Sequence, residues 1–556
     1  MFSRHFPHPI VSRRPLDPPE KIGFAGLPAY RPGPAAYLPQ EGDYVRKLLA
    51  ITAAAATALA GAVTAAPAKA SPERVASTVS WSPCPDEDPV VGGLLKGLEC
   101  GTLAVPLDHD KPRGRTIDLA LTRARHTAPE DRYQGIVLLN RGQWPGQFGR
   151  DLPTRFAKGT SGLSPAVGAT YDWIGFDPRG TGASQPRITC APEYVWPGKA
   201  RADLVPRTHA EERAWRTRAR VFADSCGRAH GDTLNFLSTK DTARDLDLIR
   251  AALGQEQLTY FGWDYGTYLG SVYASMYPHR VRRMVLDTVM LPAKGWYKNV
   301  LAQNATFEKS AENYFSWIAR NDATYHLGTT RAAVEAKYYQ GMQRLRTAPV
   351  DGKIGPAEYT EMFLVDLYRR SAWTGHTKAL ADWVLRGDAT GLKAAFNEPG
   401  YPTQNKQAMY NAVQCTDSPW PRDWQRWHRD YTRDYRSGNT FLTWFNAWYN
   451  APCAFWPVPA GTPHKVGAKG VNVLVVQGEH VAGSPLAGAR DLHRRFPDSR
   501  LLVEQNGYEH ETSLSRNANA CVNTVVDAYL KDGGRPPAAR GADATCQAGP
   551  QPDPVP

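Results

Sequence analysis

Two short frames carry residue types able to do covalent chemistry together. The first is Gly262-Trp263-Asp264-Tyr265-Gly266. Apolar residues Leu258, Tyr260 and Phe261 lead into it, and a helix-like segment from Tyr268 to Met276 leads out. A strand–turn–helix of this kind lifts one side chain out of a sheet, and its flanking glycines remove clashes at the bend. The lifted residue is Asp264, where the matching G-x-S-x-G frame has a serine. The second frame, Gly507-Tyr508-Glu509-His510, follows the last apolar run and presents His510 as the base. A carboxylate has no proton for a base to remove. Its attack on a peptide carbonyl gives a mixed anhydride, uphill from the amide, and must expel a poor amine leaving group. At saturated carbon it is a competent nucleophile: it opens an epoxide or displaces a halide, and a histidine-activated water then hydrolyses the alkyl ester.

The elements that must hold these groups are readable from periodicity. Short β-like runs occur at 101–105 and 117–121, separated by Pro and Gly turns. A continuous apolar run at 136–139 suits a strand buried on both faces; 171–176 and 281–289 read as further strands, 471–476 as a strand of the buried type, and 500–503 as a last one. Helical spacing runs over 242–253 and 524–530. Alternating strands and helices predict a mainly parallel sheet. Residues 291–465, helical in pattern and rich in Trp and Tyr, interrupt it and read as a cap over the site. The expected division is a core at 71–290 and 466–532, the cap at 291–465, and a Pro- and Gly-rich tail at 533–556 that looks loosely ordered, with Cys546 as its anchor.

The 556 residues carry a net charge of +12 with 42% hydrophobic and 22% charged residues, and mean hydropathy is −0.47. That composition is ordinary for a globular chain. The charge is diffuse, with no basic helix and no interleaved aromatics, so nucleic acid is not an expected partner. Arg46-Lys47, an apolar stretch from Leu48 to Val63 and Ala68-Lys69-Ala70 before Ser71 have the order of a secretory signal, which places the leader at 45–70 and the mature chain outside the cell. Residues 1–44 read as an extension upstream of a start near Val45. No other stretch is long and apolar enough to span a bilayer. A monomer is expected. All eight cysteines (Cys84, Cys100, Cys190, Cys226, Cys415, Cys453, Cys521 and Cys546) follow the leader, and an even count in an exported chain points to disulfides. Joining neighbours is the simplest pairing, but the sequence leaves connectivity open. No C-x-x-C, metal-ligand cluster, phosphate loop or dinucleotide fingerprint occurs in a convincing context, so no metal and no cofactor are expected.

Longer motifs carry a resemblance. Val105-Pro106-Leu107-Asp108, Gly175-Phe176-Asp177-Pro178-Arg179-Gly180, Asp241 with Ala243-Arg244-Asp245-Leu246, Tyr265-Gly266-Thr267-Tyr268-Leu269-Gly270 and Arg283-Met284-Val285-Leu286-Asp287 belong to it. So do Gln414-Cys415-Thr416-Asp417, Gln477-Gly478-Glu479 and Asn519-Ala520-Cys521-Val522. Over most of the mature chain this resembles the secreted bacterial tripeptidyl aminopeptidases, α/β-hydrolases related to prolyl aminopeptidases. The resemblance implies an α/β-hydrolase fold, a mostly parallel central sheet with an inserted helical cap. It does not fix the reaction, which lives in the site.

Three departures fall on the catalytic parts. The family's elbow serine is Asp264. Its acid frame, G-E-L-D-P, reads Gly478-Glu479-His480-Val481-Ala482, which puts Val481 at the acid position. Its oxyanion loop, N-P-G-G-P-G-G, reads Asn140-Arg141-Gly142-Gln143-Trp144-Pro145-Gly146, with Trp144 inserted. The oxyanion and positioning candidates are therefore Gly142, Gln143, Trp144 and Tyr265. An acid to orient His510 is still needed. Asp287, ending the strand after the elbow helix, is the first candidate, although its frame also suits a structural role. Glu479 and the adjoining Glu509 are weaker ones. Three functions stay open: a hydrolase of epoxides or other alkyl electrophiles through an Asp264 ester, as in the Asp-nucleophile branch of the α/β-hydrolases; a degenerate peptidase that binds peptide without cleaving it; and an ester or amide hydrolase with Asp264 as general base. The expected partner is a small molecule or a peptide. For the first function, cap tyrosines such as Tyr401, Tyr410 and Tyr449 are candidate proton donors.

Overall fold

The computed structural model describes residues 78–157, 159–514 and 519–555. The expected leader at 45–70 and the extension at 1–44 lie outside them. Ten strands form one sheet: β1 (Ser80–Pro83), β2 (Glu99–Pro106), β3 (Thr116–Ala124), β4 (Ile136–Asn140), β5 (Asp172–Phe176), β6 (Leu258–Trp263), β7 (Val281–Asp287), β8 (Val473–Gly478), β9 (Arg500–Gln505) and β10 (Ala544–Gln547). Their order is β1-β2-β3-β5-β4-β6-β7-β8-β9-β10. The β1–β2, β2–β3 and β3–β5 pairings are antiparallel, and every pairing from β5–β4 onward is parallel.

The continuous apolar runs become central strands because both faces are covered. Leu138, Ile174, Tyr260, Leu286 and Val475 point into one core, which α2 (Thr239–Ala252) and α3 (Tyr265–Met276) cover. Their chain neighbours Leu139, Trp173, Phe261, Val285 and Val476 point into the opposite core, together with Val522 and Val526 of the C-terminal helix Ala520–Asp532. Alternate residues thus serve alternate layers, the period of a strand.

Between β7 and β8 the chain builds a helical layer with its own core around Phe315, Tyr338, Phe363 and Trp373. Three of its helices matter for the site: α4 (Trp296–Arg320), α5 (Pro356–Tyr368) and α6 (Tyr401–Asp417). The family-like motifs clamp this architecture. Buried Arg179 forks onto Asp245 (2.7 and 2.6 Å), and Asp417 at the end of α6 accepts from the Thr239 N–H and hydroxyl (2.7 and 2.6 Å), tying the helical layer to α2.

All eight cysteines pair with their neighbours: Cys84–Cys100, Cys190–Cys226, Cys415–Cys453 and Cys521–Cys546. The last corrects the reading of residues 533–556 as a loose tail. The bridge ties β10 to the C-terminal helix, β10 pairs with β9, and the chain runs on to the helical layer, where Trp317 donates to the Pro552 carbonyl (3.0 Å) and the Val555 N–H donates to Tyr325 (3.1 Å). Among the described residues no helix is long and apolar enough to cross a membrane.

Candidate active site

Asp264 sits between the end of β6 and the first turn of α3, with φ 47° and ψ −115°, outside the regions usual for residues with a side chain. Such a conformation costs about 1–3 kcal/mol and must be held from outside. The Asp264 N–H donates to the Asp287 carbonyl (2.9 Å), and its carbonyl accepts from the Thr267 N–H (2.8 Å) and hydroxyl (2.5 Å). The bend is tight enough that a Cβ on Gly262 would lie 2.6 Å from the Gly266 carbonyl oxygen.

His510 follows β9, and its N–H donates to the carbonyl of Tyr368 at the end of α5 (3.0 Å). Its Nε2 lies 2.9 Å from Asp264 Oδ2, and both residues are almost fully buried. The two frames therefore meet as the sequence reading requires. Burial lifts the Asp264 carboxyl above its ordinary range, against the pull of His510 and of the Tyr265 N–H. Burial opposes a charge on His510 too, but the Asp264 carboxylate raises the imidazole above its ordinary range. Two partners this close in a dry site share a carboxylate–imidazolium pair. Among the described residues neither Asp264 Oδ1 nor His510 Nδ1 has a hydrogen-bond partner.

The absence of a partner on Nδ1 corrects the acid candidates. The Asp287 carboxylate accepts from the Thr512 N–H (3.1 Å), the Ser513 N–H (2.6 Å), the Ser513 hydroxyl (2.6 Å) and the Thr288 hydroxyl (3.0 Å). Fully buried, with its carboxyl pushed up to about 6, it fixes the loop that carries His510 without touching the ring. Trp263 assists by donating to the Ser513 carbonyl (3.1 Å). Glu479 is turned to the Asn506 N–H (3.0 Å), and Glu509 to the Arg370 N–H (2.9 Å). Val481 is wholly buried and packs on Gly478.

The oxyanion candidates are also differently employed. Gly142 (φ 63°) has no room for a side chain, since a Cβ would stand 1.6 Å from the Trp263 carbonyl oxygen. Its N–H donates to Asn140 Oδ1 (3.1 Å), and the Trp144 N–H donates to the Gly142 carbonyl (2.6 Å). The Gln143 side chain reaches away to Glu511 (3.1 Å). The Tyr265 phenol is buried against Thr239 (2.8 Å), leaving its backbone N–H to favour the ionised form of Asp264. At the first turn of a helix that N–H has no intrahelical acceptor.

Asp264 and His510 open onto a cavity of about 310 Å³ between sheet and helical layer. Sequence reasoning missed three residues here. Tyr368 stands edge-on to His510 (ring centroids 5.0 Å apart). Glu511, just after the histidine, bonds Gln143 and faces Arg155 and Arg369 at 3.7 and 3.6 Å. Lys406 lies over the Trp144 ring. Of the nominated tyrosines, Tyr410 and Tyr449 line the cavity, whereas Tyr401 bonds the Gly182 carbonyl outside it (3.1 Å). No cluster of three or more potential metal ligands exists among the described residues.

With this geometry in hand, the chain can be set beside known proteins. Residues 142–511 match the alpha/beta hydrolase fold family. The chain is 39% identical over 478 residues to a tripeptidyl aminopeptidase of Streptomyces coelicolor, covering 84% of this chain and 86% of that one. It is 31% identical over 532 residues to the serine protease Hip1 of Mycobacterium tuberculosis (89% and 98% covered). It is also 31% identical over 490 residues to carboxylesterase B of the same organism (83% and 89% covered). The fold, the elbow and the sustained identity lead to one assignment: this chain belongs to the α/β-hydrolase family, alongside the tripeptidyl aminopeptidases.

Proposed function

We propose that this protein is a hydrolase that works through the Asp264–His510 pair, on an epoxide or another alkyl electrophile, and not by serine-type acyl transfer. The observation that carries the reading is the 2.9 Å contact between Asp264 Oδ2 and His510 Nε2 at the wall of the cavity. In the first step a carboxylate oxygen attacks a ring carbon, the epoxide C–O bond breaks, and the alkoxide takes a proton. Tyr368 and Tyr410 suit that proton transfer: both line the cavity, both sense the Asp264 charge, and burial holds both phenols protonated at neutral pH. Esterification removes the charge on Asp264, and with it the attraction that keeps His510 protonated, so the imidazolium passes its proton to the tyrosinate left by the first step. The neutral imidazole then takes a proton from water, whose hydroxide attacks the ester carbonyl and breaks the acyl C–O bond. The departing alkoxide takes the proton of the carboxylic acid so formed, which releases the diol and restores the Asp264 carboxylate beside a protonated His510.

The bare Nδ1 of His510 sets the pace. Loss of the orienting acid in a serine triad costs about 10⁴ in turnover, so the ester step is expected to be the slow one. The same observation favours a second reading, in which the cleft holds a peptide and cleaves nothing, because the names of the relatives point to peptide substrates. Diol production from an epoxide panel, lost in Asp264→Asn, supports the first reading. Peptide binding with no turnover of any epoxide, haloalkane, ester or aminoacyl anilide supports the second. Four disulfides suit an oxidising compartment, and we place the protein outside the cell.

A further inference from the structure

The charged groups around the cavity differ in how fully their donors and acceptors are used. Asp264 is matched by His510. Arg201 is held by Glu358 (2.6 Å) and Glu361 (2.5 Å). The remaining cation is Lys406, on the first turns of α6, and it has no hydrogen-bond acceptor and no carboxylate within ion-pair distance among the described residues. Its one close neighbour is the indole of Trp144, with Nζ 4.2 Å from the ring centroid. Glu361 is near enough to attract the ammonium but is engaged by Arg201, and desolvation holds the lysine below its ordinary range despite that attraction. An ammonium has three donors. The indole face satisfies one side of it, and the side that opens on the cavity is unsatisfied. The same indole sets Trp144 edge-on to Tyr368, the ring beside His510. Lys406, Trp144 and His510 thus border one continuous space.

We propose that the ligand of this cavity carries a carboxylate that Lys406 binds across the Trp144 face, with an apolar or aromatic body reaching toward Asp264. A half-buried ammonium with unfilled donors repels a free amino terminus and accepts an anion, so the charged end recognised beside Lys406 is acidic. The inference rests on the reading above only in taking this cavity as the place where ligand binds. Two sources supply such a group, a small organic acid and the C-terminus of a short peptide.

The test measures binding by calorimetry of four probes to the mature protein: 4-phenylbutyrate, 4-phenylbutanamide, acetyl-Phe-Ala-Phe with a free carboxylate, and the same peptide as its amide. A charge-assisted hydrogen bond in a dry site predicts that an acid binds at least about tenfold tighter than its amide. Preference for the first acid identifies the small-molecule source, and preference for the second the peptide source. Lys406→Met is expected to abolish the difference and Lys406→Arg to retain most of it, with thermal denaturation checking that both variants are folded. Asp264→Asn is expected to keep the preference, whatever becomes of the ester chemistry, so failure of the nucleophile reading leaves a distinct signature. The proposal is overturned by equal binding of acids and amides, by a preference that survives Lys406→Met, or by no binding of any probe.

Discussion

At the scale of single residues, the proposed function gives Asp264 the part of nucleophile and His510 that of base, and among the described residues no group hydrogen-bonds His510 Nδ1. Restoring the hydroxyl alone, in Asp264→Ser, is therefore expected to yield only trace release of amine from aminoacyl anilides. Adding Val481→Asp returns a carboxylate to the position where the family-like frame has one, and the double variant is expected to exceed the single one by about 10²–10⁴-fold. Equal rates for the two would mean that Val481 is not the site of the lost acid. Asp264 and His510 were legible because each is announced by a local frame: glycines about a bend in one case, the end of the last apolar run in the other. The role of Asp287 was not. Whether a carboxylate faces an imidazole or backbone N–H groups depends on a loop more than 220 residues away, at Thr512 and Ser513. Lys406 and Tyr368 were invisible for the same reason, since nothing adjacent in the chain marks them as neighbours of Trp144 and His510.

The bend at Asp264 is held by the elements around it, and the tightest approach is at Gly142. Its positive φ and the 1.6 Å overlap that a Cβ would make with the Trp263 carbonyl oxygen leave no soft side chain to move aside. Gly142→Ala is expected to cost at least about 3 kcal/mol, read as a lowered denaturation midpoint. A midpoint within error of wild type would refute the packing described for this loop. The strands of the parallel part of the sheet were legible because a strand buried on both faces must be apolar throughout. The tail was misread because its composition says loop, while its order comes from Cys546 and from β9. Cys546→Ser is accordingly expected to lose about 2–4 kcal/mol and to expose residues beyond 533 to proteolysis, whereas resistance equal to wild type would show that strand pairing alone suffices.

For the whole molecule, burial of acids sets the response to pH. Asp287, Asp366 and Asp417 are each buried, with carboxyls pushed up to about 6. His376 and His510 are raised by their carboxylate partners. A group whose folded pKa exceeds its unfolded value binds more protons in the folded state, so its stabilisation is present at lower pH and is lost as pH rises through the folded value. All five shifts have this sign. Of the groups with the opposite sign, Asp88 and Asp245 lose their contribution only below their ordinary carboxylate range, whereas His464 and His480, held below the ordinary imidazole range mainly by burial, lose theirs as pH falls through that range and offset part of the effect. The denaturation temperature is therefore expected to be about 1–3 °C higher at pH 5 than at pH 7.5, and an equal or lower value at pH 5 would contradict the balance described.

The proposed function makes Asp264 the reacting group in the space between sheet and helical layer, and covalent capture tests that most directly. Wild-type protein, His510→Gln and Asp264→Asn are incubated with styrene oxide or 1-bromohexane and weighed intact, and the modified peptide is then mapped. The account predicts an adduct on Asp264 that accumulates in His510→Gln, is weak or transient in wild type, and is absent from Asp264→Asn. Unmodified protein in all three would contradict it, as would an adduct that maps elsewhere.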